Sequence, residues 1–261
     1  MKNLLQPFLI LLLFSNISIS QNQKKLFVEY DVNDGAFSYK ANLIAANGKA
    51  IYFHDKLKQR KGQKPLTIVS KFNSVISDTS AVRSGRRYYT KQNDSEIAFT
   101  QFYKNKMYLI NDKVPDVFWM IEPESQKKIH NFTCTKAVGQ FRGSEIVVYF
   151  TTDLPLPFGP WKFKGLPGVI LEAYVANDKQ NYNFTVSKVI YPYNNDVSLE
   201  LSEKEKSLQR ISFQEHKESY VNNILKKLAI INARTTQSNI KITAGTTKMT
   251  RHGIEKVFEW E

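Results

Sequence analysis

Apolar and polar residues alternate with a period of two along most of this chain, the pattern of strands with one face on a core and one in water. The alternation predicts strands at Leu26 to Tyr30, Tyr39 to Ala46 and Ala50 to His54, with Asn47-Gly48 as a hairpin turn between the last two. Further strands are expected at Leu66 to Val69, Arg86 to Thr90, Ile97 to Tyr103, Met107 to Asn111 and Val117 to Ile121. Ile129 to Ala137 and Phe141 to Phe150 read as a pair across Val138-Gly139-Gln140, and Val169 to Ala176 pairs with Tyr182 to Ile190. In that last strand Tyr182, Phe184, Val186 and Ile190 share one face while Asn183, Thr185 and Ser187 take the other. The sheet therefore has one wet face.

One segment changes period. From Ser212 to about Arg234, Phe213, His216, Tyr220, Ile224, Leu225, Leu228 and Ile231 recur at three- and four-residue steps, and Ser212 with Glu215 forms a capping box. The expected fold class is α+β, mostly antiparallel β: a curved sheet or half-barrel packed against one long amphipathic helix at 212–234. The Thr-rich stretch 235–249 reads as a flexible loop, and Ile254 to Trp260 as a closing strand.

Composition adds a workplace. Residues 1–20 carry Lys2, an apolar run from Phe8 to Phe14 and small residues at Ser18 and Ser20, the layout of a signal peptide cut before Gln21. A membrane span needs about 20 consecutive apolar residues, and Ser15, Asn16 and Ser18 interrupt this run. No cysteine stands near the junction to carry a lipid. The expectation is export to a periplasm, or secretion, with 21–261 as a single strand-rich domain and no transmembrane anchor after cleavage. Cys134 is the one cysteine, so no internal disulfide can staple the fold.

Removing Lys2 leaves 36 basic against 24 acidic residues. That sign suits anionic envelope surfaces; nucleic acid is not expected as a partner of an exported chain. The densest basic run, Lys56 to Lys64, lacks interleaved aromatics and reads as a solvated loop.

The most distinctive stretch runs from Leu154 to Glu172, with four prolines between Pro155 and Pro167. Proline removes a ladder donor, so this block is no central strand. Leu166-Pro167-Gly168-Val169 has the residue order of a type II turn. The aromatics either plug one end of the core or form an apolar lip for a ligand; the candidate lip is Phe158, Trp161, Phe163, Leu166, Pro167 and Gly168.

Gly165-Leu166-Pro167-Gly168-Val169-Ile170 is one residue from the hexapeptide Gly-Leu-Pro-Gly-Leu-Ile. Cys134-Thr135-Lys136-Ala137 and the approach from Tyr149 to Pro160 add to the likeness. Here the chain resembles the GLPGLI family of exported Bacteroidetes proteins, best over 116–192. The resemblance implies export, a Gram-negative envelope and a strand-rich domain; it supplies no catalytic residues.

Chemistry is sparse. Cys134 and His130 share a strand face in this reading, but four residues at about 3.3 Å each put them too far apart for proton transfer. His54, His216 and His252 are scattered, so no metal site is expected. Asp153 and Glu172 flank the proline block and could act as acid and base. No cofactor motif appears. Three functions remain open: a periplasmic accessory or binding protein holding a lipid or peptide in a sheet–helix groove, an envelope hydrolase built around Asp153 and Glu172, or an interaction module for an outer-membrane transporter.

Overall fold

A computed structural model describes residues 24–33, 38–54, 85–176, 182–234 and 254–261. The segment 1–20, the strand expected at Leu66 to Val69, the basic run Lys56 to Lys64, His252 and the 235–249 stretch lie outside the described residues.

Twelve strands form one open sheet. The first half is a meander: β1 (Lys25–Asn33), β2 (Ser38–Ala46), β3 (Lys49–His54), β4 (Arg86–Lys91), β5 (Glu96–Tyr103) and β6 (Lys106–Lys113). The second half is another: β7 (Met120–Ile129), β8 (Phe132–Phe141), β9 (Ser144–Thr151), β10 (Val169–Val175) and β11 (Asn183–Tyr193). The halves join where β1 pairs antiparallel with β11. All pairings are antiparallel except that of β12 (Gln209–Ser212), which runs parallel to β6 at the edge. Helix α1 (Glu203–Lys206) precedes β12 and α2 (Phe213–Arg234) follows it.

The hairpins show why residue order sets register. Asn47 and Gly48 both take positive φ, 52° and 67°, as a tight two-residue turn requires. Lys104 and Asn105 do the same between β5 and β6. The β7–β8–β9 region departs from the periodicity reading. β7 extends to Ile129, the chain turns at His130 with φ 50°, and the next turn is Arg142-Gly143 with φ 44° and 80°. Val138-Gly139-Gln140 stays inside β8. Arg-Gly and His-Asn lack the composition that marks Asn-Gly as a turn, so these turns left no signal.

The sheet curls until its two ends meet. Asp112 on β6 is ion-paired at 2.8 Å with Arg142 in the β8–β9 turn, although β6 and β9 lie toward opposite ends of the strand order. Inside the curl sits the proline block. Phe158, Phe163 and Leu166 are at most 2 % exposed, and Phe163 meets Phe141, Trp161 and Phe184 edge-on at ring separations of 5.4 to 6.1 Å. The Tyr30 hydroxyl donates a buried bond of 2.6 Å to the Ile170 carbonyl, tying the block's exit strand to β1.

Gly168 is required for a different reason from the one its sequence suggests. A type II turn needs positive φ at its second inner residue, and Gly168 does not have it; Gly165 does, at 96°. An added Cβ on Gly168 would stand 1.9 Å from the Thr151 carbonyl oxygen. The glycine is there because two backbones touch. Gly168→Ala is accordingly expected to lose the folded state, read as insoluble protein or an absent cooperative melt.

The expectation of a long amphipathic helix packed on the sheet is not met. The capping box forms, with Glu215 N donating to Ser212 Oγ and Ser212 N to Glu215 Oε2. Yet α2 meets the sheet at its edge alone, along β6 and β12 and, through Phe213 on Phe99 and Ser219 on Tyr103, on β5. Phe213 is buried, whereas Tyr220 and Leu225 are 37 % and 44 % exposed. The proline block occupies the concavity that the helix stripe would have filled. Ile254 to Trp260 is likewise no strand: it runs as an irregular tail, with Lys256 N and Val257 N donating to the Arg142 carbonyl.

Candidate ligand pocket

Strand alternation builds the site. In the β3–β4 pair, Tyr52 stands opposite Tyr88 and His54 opposite Arg86. Facing residues of an antiparallel pair point to the same side, and these four all face the concave side. Arg87 and Tyr89, one residue along, point to the outer face.

On the concave side the four residues line a pocket of about 210 Å³. Tyr39 from β2, Tyr182 and Phe184 at the start of β11, Trp161 from the proline block, Lys217 from α2 and Ile254 with Glu255 from the tail complete it. The rings brace one another: Tyr39 and His54 at 4.9 Å, Tyr52 and Tyr88 at 5.9 Å, Tyr52 and Phe184 at 6.4 Å. Trp161 holds φ at 58°, a left-handed backbone that a bulky side chain adopts only when its surroundings impose it. Such positions cost about 1–3 kcal/mol and cluster at ligand clamps.

Behind the pocket lies a buried charge cluster. Arg142 and Lys162 both bind Asp112, at 2.8 and 2.6 Å, and both bind Glu255, at 2.5 and 2.7 Å. Glu259 closes on Arg142 at 3.0 Å. The guanidinium also lies over the rings of Phe213, Phe258 and Trp260 at 5.2 to 5.8 Å. Burial by itself would raise the Asp112 carboxyl, but Lys162 and Arg142 outweigh it and hold the group below its usual range. Burial opposes the Arg142 charge, and Asp112, Glu259 and Glu255 together drive its pKa up instead. The cluster pins the tail, and through Ile254 and Glu255 it fixes one pocket wall.

A second cavity of about 770 Å³ lies on the outer face, between β3–β6 and the segment preceding β12. Its charges are mixed and partly spent: Lys49 pairs with Glu200, and Tyr89 donates to Glu205 at 2.7 Å. Burial and then Glu205 raise the Tyr89 hydroxyl well above its ordinary value.

Of the residues singled out by sequence, Cys134, Asp153 and Glu172 come near enough for both carboxylates to act on the thiol, and the rest take separate places. Of the six in the proline block, Phe158, Phe163 and Leu166 are core, Gly168 is a backbone contact, Pro167 is exposed, and Trp161 alone reaches the pocket. Glu172 is held by Lys127 at 2.5 Å, and Asp153 is exposed. Cys134 is fully buried, and burial, then the Glu172 charge, pushes its thiol up to about 11. A neutral buried thiol is a poor nucleophile. Native protein at pH 8 is expected to resist a thiol reagent that labels it fully in denaturant. His130 sits in the β7–β8 turn rather than on a strand beside Cys134. No group of histidines, cysteines and carboxylates suited to a metal ion occurs among the described residues.

Sequence reasoning missed Tyr39, Tyr52, His54, Arg86, Tyr88 and Lys217 as site residues. The available signal was the repeat of an aromatic and a cationic or imidazole side chain two apart, Tyr52 with His54 and Arg86 with Tyr88, on adjacent strands.

No protein-family model and no curated protein matches the chain. Similar folds occur among solved structures. PNGF-II matches in two crystal forms, at 14 % and 16 % identity with TM-scores of 0.48 and 0.50. Each match covers 75 % of this chain, and the chain spans about a third of PNGF-II. An uncharacterized conserved protein from Thermus thermophilus matches at 11 % identity and TM-score 0.40, over 72 % of this chain and 90 % of that one. At 16 % identity and a TM-score of 0.50, the second PNGF-II match is a likeness of fold alone.

Among the described residues, no helix is long and apolar enough to cross a membrane.

Proposed function

We propose that this is an exported accessory or binding protein of a Gram-negative envelope, one that holds a small ligand in the aromatic pocket between β3, β4, β11 and the tail. The observation that carries the reading is the pocket wall: Tyr39, Tyr52, Tyr88, Trp161, Tyr182 and Phe184 converge on one concavity, with Trp161 in a left-handed backbone. A concave, mostly aromatic site with a few polar groups is the usual form of a ligand pocket. The export signal in 1–20 and the GLPGLI-type block support the location.

The groove for a lipid or peptide moves accordingly. The sheet concavity is filled by Phe158, Phe163 and Leu166, so the ligand site lies at its mouth and suits a compact molecule better than a long acyl chain. The hydrolase reading has less support: Asp153 and Glu172 both lie near Cys134, but the thiol is buried, Glu172 is ion-paired with Lys127 and Asp153 faces solvent.

Native mass spectrometry of the protein purified from its own envelope tests this. The mature chain is expected to begin at Gln21 and to retain a small organic ligand. A chain found in the cytoplasm, or one that neither retains nor takes up any small molecule from envelope extract, contradicts it.

A further inference from the structure

Helix α2 turns one side to the sheet and leaves the other uncovered. Phe213 meets Phe99 edge-on at 5.7 Å, His216 meets Tyr103 at 5.0 Å, and Ser219 Oγ lies 3.1 Å from the Tyr103 hydroxyl. At about 100° of rotation per residue, Glu218, Val221 and Leu225 come to the opposite side, with Asn222 and Lys226 along its flank. All five are exposed, Val221 and Leu225 at 40 % and 44 %. A helix in water owes most of its stability to an apolar side packed on a partner. These two apolar side chains stand outside the core formed by the described residues.

Charge says what that partner is. Glu218 stands near the start of this side and Lys226 near its end, with Asn222 midway between them. Ion pairs on a helix join residues three or four apart. No position at that spacing from Glu218 carries a base, and none at that spacing from Lys226 carries an acid. Glu218 accepts a hydrogen bond from Gln214 Nε2 at 2.9 Å, and Lys104, the cation across the neighbouring groove, gives its own to Ser219 Oγ at 3.0 Å. An acid and a base placed evenly about an asparagine are complementary to the same side turned end to end. Such a match is isologous, the form of a twofold dimer.

The geometry points to a dimer of this chain in which two α2 helices pack antiparallel about an axis beside Asn222. Glu218 of each copy then faces the partner's Lys226, so the ion pair occurs twice. The two Val221–Leu225 rows close on each other at the centre and leave water. Asn222 beside the axis fixes the register, the role of a single asparagine in a helix seam.

Sedimentation equilibrium of the mature chain over a micromolar concentration series tests the dimer. Wild-type protein is expected to associate reversibly to a dimer and no further. Glu218→Lys and Lys226→Glu should each weaken it about tenfold or more, because either reversal sets like charges together on both sides of the axis. The double reversal restores the opposite signs and should return the affinity to within a few-fold of wild type. Leu225→Asp should leave a monomer. Circular dichroism and thermal melting confirm that each variant is folded. A wild-type chain that is monomeric throughout overturns the proposal, and so does one that associates only with another protein of envelope extract. A dimer that ignores the single reversals, or that the double reversal does not restore, overturns this interface.

Discussion

Asp112→Ala lowers the unfolding free energy by about 3–5 kcal/mol, the cost of breaking a buried ion pair by removing one partner. Asp112 is completely buried between Arg142 and Lys162, and Arg142 is itself closed off from solvent. Removing the carboxylate leaves Arg142 and Lys162 to share Glu255 and Glu259, which lie at the more exposed side of the cluster, and takes away the one counter-charge that is fully buried with them. Denaturant unfolding at neutral pH measures the loss, and a change below about 1 kcal/mol would show that the cluster is hydrated. The pH dependence follows from the direction of the shift. The folded Asp112 carboxyl titrates below its unfolded value, so its contribution is present above about pH 4 and fades as the pH falls through the folded pKa. Wild-type protein should therefore lose stability in acid more steeply than Asp112→Asn, which has no such carboxylate to protonate.

Phe163→Ala is expected to cost about 3–5 kcal/mol, the range for deleting a fully buried phenylalanine. The ring is 2 % exposed and meets Trp119, Phe141, Trp161 and Phe184 at 5.4 to 6.4 Å. No neighbour can collapse into the space without abandoning another ring. Pro167→Ala, four residues on but exposed, should change stability by about 0.5 kcal/mol or less. The contrast separates a plug from a lip: a lip would lose ligand affinity at both positions and little stability at either. Thermal or denaturant melts of the two variants decide between them.

Much of the sheet was legible because its strands alternate cleanly. In β1, Leu26, Val28, Tyr30 and Val32 are all buried while their neighbours reach solvent, and Asn47-Gly48 turns as its composition demands. Legibility failed where a tertiary contact decides the backbone. Arg142 adopts φ 44° in a turn whose guanidinium is fixed by Asp112, Glu255 and Glu259, and nothing in the local sequence announces partners 30 to 117 residues away. The four-residue strand β12 escaped notice for the same reason, since its ladder to β6 joins residues far apart in the chain. Of the stripe expected on α2, Phe213 packs into the core while Tyr220 and Leu225 reach solvent, and the buried rings of the Leu154–Gly168 block fill the concavity instead.

The site was legible only in part. Trp161 was singled out with its block, because proline and aromatic density stand out in one dimension. Its companions were read as ordinary strand residues, or for Lys217 as part of a helix, since the pocket draws on β2, β3, β4, β11, α2 and the tail at once. No window of sequence contains that arrangement.

The direct test of the ligand pocket is the indole NMR signal of Trp161 during titration with the small-molecule fraction of envelope extract. Three tryptophans report from three places: Trp161 lines the pocket, Trp119 donates its indole N–H to the Lys164 carbonyl at 2.9 Å, and Trp260 packs on Phe258 at 4.6 Å. A ligand seated in the pocket gives a saturable shift of the Trp161 signal while those of Trp119 and Trp260 stay in place. A silent Trp161, or a shift confined to the other two, would contradict it.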